Sequence, residues 1–308
     1  MDMIALQHRM RYRYEEPVRL GPHRLQLLPA ARAPQEVLHW SVRVDPVPAR
    51  MDLRWDALDN PVYELLFAEP LQELCIDCAA TVRLRPVDPF AFLLAPHAAQ
   101  WPPRYEDEER AVLGHYLQKP ADAGVAQLRL LLAEAVAVGQ PTTAALVSLN
   151  TLLYEHVGYV VRPEAGVQDP AHTLTAGCGS CRDSAWALVQ LLRLAGVAAR
   201  FVSGYLLHDD PAHPAELHAW CEACLPGAGW IGLDPSSGLL ADRTHLPLCH
   251  APDPARTAPV IGSHAPVAVR FDHGVALRPV EQPSVDWWDM PLTAAGASDH
   301  STSTAETA

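Results

Sequence analysis

The sequence predicts an α+β protein, with antiparallel strands in its first part and a long helix followed by strands in its second. Short runs such as 39–44 and 81–85 alternate apolar and polar residues, which is typical of strands with one buried face. From residue 185 to 192 the apolar positions instead follow a helical period. Three strand-like runs come directly after that helix, at 199–207, 217–225 and 230–233.

Residues 1–95 form the predicted β-rich N-terminal region. Turn-forming pairs, Asp45-Pro46 and Asn60-Pro61, separate its short strands, so a small antiparallel β-sandwich-like domain is expected. No acid, base and nucleophile cluster is visible in this region. We therefore assign it a structural or substrate-presenting role.

Residues 96–290 form the predicted core, and the proline- and aromatic-rich stretch 86–103 indicates a linker into it. Two helices are expected next, because apolar stripes of helical spacing lie within 128–135 and 146–153. Later strands are expected at the end of the core, joined as a hairpin through Asp272-His273-Gly274. Residues 291–308 are small and polar, and they predict a disordered tail.

The central stretch of the core is a glycine-rich turn that delivers Cys181 to the start of the long helix. Ser180 and Asp183 have the spacing of a capping box, which places the helix start at Ser180. The unpaired N–H groups and the dipole of the first turn favour a thiolate, and Arg182 adds positive charge nearby. On this stretch alone, a buried structural cysteine is an equally good interpretation. Gly196 is the expected cap at the other end.

A cysteine nucleophile also needs a base and a group that orients the base. His218 lies in the strand 217–225, beside Trp220, which could shield the pair from water. Asp234 ends the following strand. A simple register, with Leu225 opposite Trp230, points His218 and Asp234 to opposite faces, so the two side chains meet only after a one-residue slip or a bulge.

Four separated blocks resemble the core motifs of bacterial transglutaminase-like proteins: Gly179–Ala185, Ala199–Leu206, His218–Glu222 and Leu233–Gly238. Two more, Tyr12–Val18 and Pro22–Leu27, resemble the β-rich region that precedes the core in this family. The similarity covers the chain from about Tyr12 to Pro279. It implies a papain-like fold with a Cys-His-Asp triad, in which Cys181 is the nucleophile, His218 the base and Asp234 the orienting residue.

The resemblance implies cysteine-dependent acyl transfer on amides through a thioester, ending in transamidation or in hydrolysis of amide or peptide bonds. The expected partners are a protein or peptide substrate and a primary amine acceptor. We expect no metal and no organic cofactor. Glu164 and Gln168, just before the cysteine turn, are weaker candidates for cleft residues, whereas His172, His208, His213 and His245 are expected to be solvated loop residues.

Composition bears on which partners and which cellular compartment are expected. The formal net charge is -13, from 36 acidic and 23 basic residues, and Lys119 is the single lysine, so nucleic-acid binding is not expected. The first residues mix charged with apolar side chains and predict no secretory signal, and no apolar run predicts a membrane helix. Seven cysteines are an odd number, and reduced thiols in the cytoplasm are expected.

Cysteine pairs allow two other interpretations. Cys178 and Cys181 have the spacing of a thiol-disulfide redox motif, although the polar, proline-broken stretch before them is not the buried strand of a thioredoxin-like unit. Cys75/Cys78 and Cys221/Cys224 resemble two zinc half-sites, although residues three apart in a strand point to opposite faces. A non-catalytic binding module with the same fold is the third alternative.

Single substitutions separate an acyl transferase from an oxidoreductase. We expect Cys181→Ala to abolish acyl transfer, because it removes the nucleophile, and Cys178→Ala to retain it. A redox enzyme needs both thiols, so equal loss of activity in the two variants contradicts the nucleophile hypothesis. Steady-state rates of the two purified variants are the measurement.

Overall fold

The computed structural model describes residues 3–30, 35–120, 125–208, 215–283 and 293–300, and it has the predicted α+β class. The helices are α1 (Asp107–Val112), α2 (Val125–Ala135), α3 (Thr142–His156), α4 (Pro170–Ala176) and α5 (Cys181–Leu194). The strands before α1 are β1 (Met3–Val18), β2 (His23–Leu25), β3 (Gln35–Asp45), β4 (Arg50–Trp55), β5 (Pro61–Leu66) and β6 (Leu71–Leu84). The later strands are β7 (Gly158–Tyr159), β8 (Cys178–Gly179), β9 (Ala199–Leu207), β10 (Ala215–Leu225), β11 (Gly229–Asp234), β12 (Leu239–Leu240), β13 (His245–Ala251), β14 (Val260–Ile261), β15 (Val269–Pro279) and β16 (Thr293–His300).

Two antiparallel sheets form the β-rich region, with strand orders β16-β15-β1-β6-β3 and β14-β2-β5-β4. Leu6 of β1 and Ile76 of β6 are fully buried and share one hydrophobic cluster with Leu25 and Leu65 of the smaller sheet. The runs predicted as strands at 39–44 and 81–85 lie in β3 and, to within one residue, in β6. Alternating burial of apolar residues therefore gives the sandwich-like arrangement that the sequence predicts.

The expected late hairpin is wrong. Residues 269–279 form one continuous strand, β15, which pairs with β1 from Tyr14↔Val269 to Ile4↔Pro279. Gly274, in the predicted turn, instead lies opposite Arg9. The long partner strand supplies hydrogen bonds along the whole of β15, and this ladder outweighs the local turn preference of Asp-His-Gly. The last strands thereby join the N-terminal sheet.

The predicted disordered tail is wrong for residues 293–300, which form β16 at the edge of the larger sheet. Strand pairing uses backbone N–H and C=O groups, so the open edge of β15 can hold a segment whose small polar side chains predict disorder. The other residues of the predicted tail, 291–292 and 301–308, lie outside the described residues.

The core consists of α5 packed against a second five-stranded sheet, in the order β12-β11-β10-β9-β13. The predicted apolar stripe is fully buried there: Ala185, Leu188, Val189 and Leu192. Gly196, at φ +86, takes the left-handed conformation that ends the helix, as predicted. Hydrophobic burial along one face of α5 thus fixes the position of its N-terminal residue relative to the sheet.

Helices α2 and α3 confirm the two helices predicted before the cysteine turn, and α1 and α4 were not predicted. The stretch 86–103 is largely irregular, but Trp101 is 4% exposed and belongs to the core cluster, so this linker is packed. Within the described ranges, no helix combines the length and apolar character needed to cross a membrane.

The burial of α5 predicts a stability difference between two leucines. Leu188→Ala should cost roughly 2–5 kcal/mol of unfolding free energy, because it leaves a cavity at a fully buried position. Leu130→Ala, on a side chain 72% exposed in α2, should change stability by less than about 0.5 kcal/mol. Urea unfolding measures both, and equal losses would contradict this packing.

Candidate active site

Cys181 is the first residue of α5, as the capping-box spacing predicts. The parallel pair of β7 and β8 holds the chain immediately before it. Gly179 lies so close to the helix that a Cβ atom there would be 2.9 Å from Cβ of Asp183, so the turn requires glycine. Cys181 is partly buried, next to the unpaired N–H groups of the first helical turn.

Asp183 organises the cysteine side of the site. Its fully buried carboxylate accepts hydrogen bonds from Ser180 N and Oγ (2.8 and 2.7 Å) and from Gln168 N (2.7 Å). Arg162 Nε lies 2.7 Å away and forms an ion pair with it. Burial raises the pKa of Asp183, but the hydrogen bonds from Arg162, Gln168 and Ser180 outweigh burial and hold it below its usual value.

The loop before α4 is tied to the cysteine turn through backbone groups. Arg182 donates hydrogen bonds to the carbonyl oxygens of Arg162, Glu164 and Gly166, so its guanidinium holds this loop. The weaker cleft candidates lie in the same loop. Glu164 is exposed beside Arg162, whereas the side chain of Gln168 accepts a hydrogen bond from Thr173.

His218 and Asp234, the other two predicted site residues, meet in the structure. His218 Nε2 lies 3.1 Å from Asp234 Oδ2, and the two side chains are 2% and 0% exposed. Burial raises the pKa of Asp234, but the hydrogen bonds from His218 and His245 reverse this effect and hold it far below its usual range. The pair is therefore a buried carboxylate bonded to an imidazole.

A register one residue away from the simple one brings this pair together. The ladder of β10 and β11 begins at Leu225↔Gly229 and runs to Cys221↔Leu233. Asp234 is therefore level with Trp220, on the face that also carries His218. Gly229 has a φ of +80, a conformation that allows this shorter loop.

Cys181 is the second partner of the His218 ring. Burial by itself lowers the pKa of His218, but its hydrogen bond to Asp234 and the neighbouring Cys181 thiol raise it to about 10. Since Nε2 bonds to Asp234, Nδ1 is the nitrogen left for the thiol, and it makes no hydrogen bond of ordinary geometry to the described residues. The structure thus brings all three predicted residues into one interacting group.

Trp220 covers the imidazole as a nearly parallel ring. Its centroid is 6.5 Å from that of His218, with an angle of 26° between the planes, and the residue is 1% exposed. Gly204 on β9 leaves the space, because a Cβ there would lie 2.6 Å from the Trp220 ring. The indole therefore keeps bulk water from one side of His218.

Tyr159 and Glu216 border the site where it opens to solvent. Tyr159 is 51% exposed, and burial together with the charges of Cys181 and Glu216 raises its pKa to about 12. Glu216 Oε1 lies 3.9 Å from His218 Nδ1, and this side chain is 45% exposed. These two residues are exposed neighbours of Cys181 and His218.

His245 is a site residue that the sequence interpretation missed. The prediction of a solvated loop histidine is wrong, because His245 opens β13, is 6% exposed and lies with Nε2 3.4 Å from Asp234 Oδ2. No local signal could have identified it, since β13 reaches Asp234 only through pairing with β9. Of the other histidines, His172 is exposed, His208 is partly exposed and His213 lies outside the described residues.

Ser236 and Ser237 also bond to Asp234. Ser236 N and Oγ lie 2.9 and 2.6 Å from Oδ1, and Ser237 Oγ lies 2.9 Å from Oδ2. The block Leu233–Gly238 contains both serines, and an Asp followed by serines favours such turns. Their short sequence separation from Asp234 was the signal that could have found them.

The Cys221/Cys224 pair does not form the zinc half-site that its spacing allows. Cys221 is buried in the core cluster with α5, whereas Cys224 packs on the other face beside Tyr105 and Trp230. All seven cysteines are free. Among the described residues, the group whose ligand atoms come close enough for a metal ion is His218, Asp234 and His245, and these three already bond to one another.

Comparison with known families gives two matches. Residues 4–83 match the bacterial transglutaminase-like N-terminal region, and residues 131–235 match the transglutaminase-like superfamily. An uncharacterized protein of Mycobacterium tuberculosis is 26% identical over 271 residues, which is 83% of this chain and 85% of that protein. A protein-glutamine gamma-glutamyltransferase of Pseudomonas aeruginosa is 31% identical over 115 residues, which is 34% of this chain and 17% of the relative.

A solved structure shares the fold. The crystal structure of a proposed cysteine protease from Cytophaga hutchinsonii superposes with a TM-score of 0.68 and covers 93% of each chain at 17% sequence identity. The agreement over nearly the whole length includes both the β-rich region and the core, and it confirms the predicted papain-like α+β fold.

Replacing Asp234 by Asn tests what holds the proton on His218. Asp234 supports the raised pKa of about 10, whereas burial lowers it, so the Asn variant should release the proton at lower pH. The stability that this proton contributes is complete below 6.5 and disappears as the pH rises through about 10. The pKa of Asp234 is lowered from 3.8, so its own contribution to stability falls below that pH, and the variant should be most destabilised between 3.8 and 6.5. NMR of ¹⁵N-labelled histidine and unfolding curves across pH measure both effects.

Asp272→Asn, which removes a surface partner of Arg13 on the N-terminal sheet, is the control and should leave His218 unchanged. An unaltered titration of His218 in Asp234→Asn would contradict the assigned hydrogen bond.

Proposed function

The chain is a bacterial transglutaminase-like protein with the N-terminal region and the core of that family, and from this we propose that it transfers acyl groups from amides through a cysteine thioester. The superfamily and the shared fold belong to cysteine-dependent acyl transferases and hydrolases. The observation that carries the proposal is Cys181 at the start of α5, interacting with a buried His218–Asp234 pair.

In the first half-reaction, the Cys181 thiolate attacks the carbonyl carbon of a carboxamide, and a C–S bond forms. The raised pKa of His218, about 10, makes its imidazole the acceptor of the thiol proton. His218 then gives this proton to the leaving nitrogen, the C–N bond breaks, and ammonia or an amine departs. Asp234 holds the ring and stabilises the imidazolium.

The oxyanion of the tetrahedral intermediate needs hydrogen-bond donors beside Cys181. The backbone N–H of Cys181 belongs to the first turn of α5 and has no carbonyl partner within the helix. We assign it as one donor. The positive end of the helix dipole supports the same negative charge.

In the second half-reaction, an amine or a water molecule attacks the thioester carbon and releases Cys181. His218 takes the proton of the attacking group. The name of the Pseudomonas relative, a protein-glutamine gamma-glutamyltransferase, supports a glutamine carboxamide as acyl donor and an amine as acceptor. We therefore propose a protein or peptide substrate with an accessible glutamine, and hydrolysis as the competing outcome.

The proposed reaction needs no metal or organic cofactor, because addition of a thiolate to a carbonyl and its reversal move only protons and electron pairs. A cytoplasmic location stays part of the proposal. In that compartment the seven cysteines would remain as thiols.

Intact-mass analysis tests the thioester directly. Incubation with a glutamine-containing peptide should add the mass of the peptide less one ammonia to Cys181. Addition of a primary amine should shorten the lifetime of this adduct and yield an amine-labelled peptide, and omission should yield the glutamate form. We expect Asp234→Asn to lower the rate by about 10²–10⁴-fold, since the orienting charge is lost.

Cys181→Ala is the control that must give no adduct, and Cys178→Ala should give the normal one. Absence of any adduct on Cys181, together with a thiol that does not react with iodoacetamide, would refute the proposed function.

A further inference from the structure

We propose that His245 is a positioning residue of this site, which fixes the carboxylate of Asp234 for His218. This inference rests on the function proposed above and extends the three-residue group by one member. It starts from the observation that two imidazoles bond to one carboxylate oxygen, because His218 Nε2 lies 3.1 Å and His245 Nε2 3.4 Å from Asp234 Oδ2.

The surroundings of His245 fix which nitrogen carries its proton. On the far side of the ring, Nδ1 accepts a hydrogen bond from Asp242 N at 3.3 Å, and Thr244 Oγ1 lies at the same distance. In a neutral ring the proton is therefore on Nε2 and points at Asp234. In a protonated ring Nε2 also carries a proton, and Nδ1 faces the carboxylate of Asp242 at 3.5 Å. His245 thus donates to Asp234 in both charge states.

Packing holds the ring in this orientation. His245 is 6% exposed, and the edge of its ring meets Trp220, with centroids 5.3 Å apart and planes at 82°. The same indole lies nearly parallel to His218. One tryptophan therefore sets the relative positions of the two imidazoles that share Asp234.

The N-terminal region supplies the remaining support. Gln35, the first residue of β3, donates from Nε2 to the backbone carbonyl of His245 at 2.7 Å, and this bond is buried. A continuous series of hydrogen bonds thus runs from Gln35 through His245 and Asp234 to His218. Through Gln35, the β-rich region therefore helps to hold His245 in place beside Asp234.

The donor is the feature to test, so two substitutions at one position are compared. His245→Ala removes the N–H, and we expect kcat to fall about ten- to a hundredfold with KM little changed, because the carboxylate loses one of its fixed bonds. His245→Gln keeps an N–H at a similar distance from the backbone and should restore most of kcat. Initial rates with the glutamine peptide and an amine measure both.

A second readout does not depend on turnover. The Nε2 proton of His218, hydrogen bonded to Asp234, should exchange slowly in ¹⁵N-histidine NMR spectra of the unmodified protein and of His245→Gln. It should exchange faster in His245→Ala. Gln35→Ala, which removes only the bond to the His245 carbonyl, should change exchange and kcat in the same direction by a smaller factor.

Leu128→Ala is the control for general loss of stability, since it removes a buried side chain of α2, a helix that carries no residue of the site. Unchanged kcat and proton exchange in His245→Ala would overturn the inference, as would a His245→Gln variant no better than His245→Ala when both are folded. If His245→Ala does not fold, unchanged proton exchange in Gln35→Ala refutes it. If the unmodified protein transfers no acyl group, the proposed function fails, and proton exchange alone decides the role of His245.

Discussion

The site depends on a charge that is kept inside the protein. Asp234 is fully buried, and an unpaired carboxylate in such a position would cost several kcal/mol. Here it is bonded to two imidazoles, two serine hydroxyls and one backbone N–H. These bonds keep the carboxylate ionised, and its charge in turn keeps a proton on His218. In the proposed reaction, this histidine is the group that accepts the thiol proton of Cys181.

A second buried carboxylate, that of Asp183, holds the turn before Cys181. Asp183 accepts hydrogen bonds from Ser180 and from the loop at Gln168, and it pairs with Arg162, so the turn before Cys181 cannot move independently of α5. The helix itself is fixed by its apolar face against the sheet that carries His218. Hydrophobic packing thus sets the distance between Cys181 and His218, while the two carboxylates set the orientation of each.

The β-rich region is joined to this site through both apolar and polar contacts. Its core cluster includes Tyr205 of β9 and Leu246 and Leu248 of β13, so one hydrophobic core extends under the sheet that carries His218 and Asp234. Tyr205 bonds to the buried His8 of β1 at 2.8 Å, and Gln35 bonds to His245. Contacts with the β-rich region therefore fix the positions of β9 and of β13, the strand that carries His245. A loss of packing in that region should reach Asp234 through β13.

Local patterns in the sequence determined the class of the fold, the apolar face of α5, the start of that helix at Ser180 and its end at Gly196, because each depends on residues a few positions apart. The resemblance to one family supplied the roles proposed for Cys181, His218 and Asp234. Only the tertiary structure decided that His218 and Asp234 share a face, since this depends on one residue of register set by the loop before Gly229. It also decided that β15 pairs with β1, and that His245 reaches Asp234. These features arise from partners far apart in the chain, and neither periodicity nor local turn preference encodes which partner a strand or a buried side chain will meet.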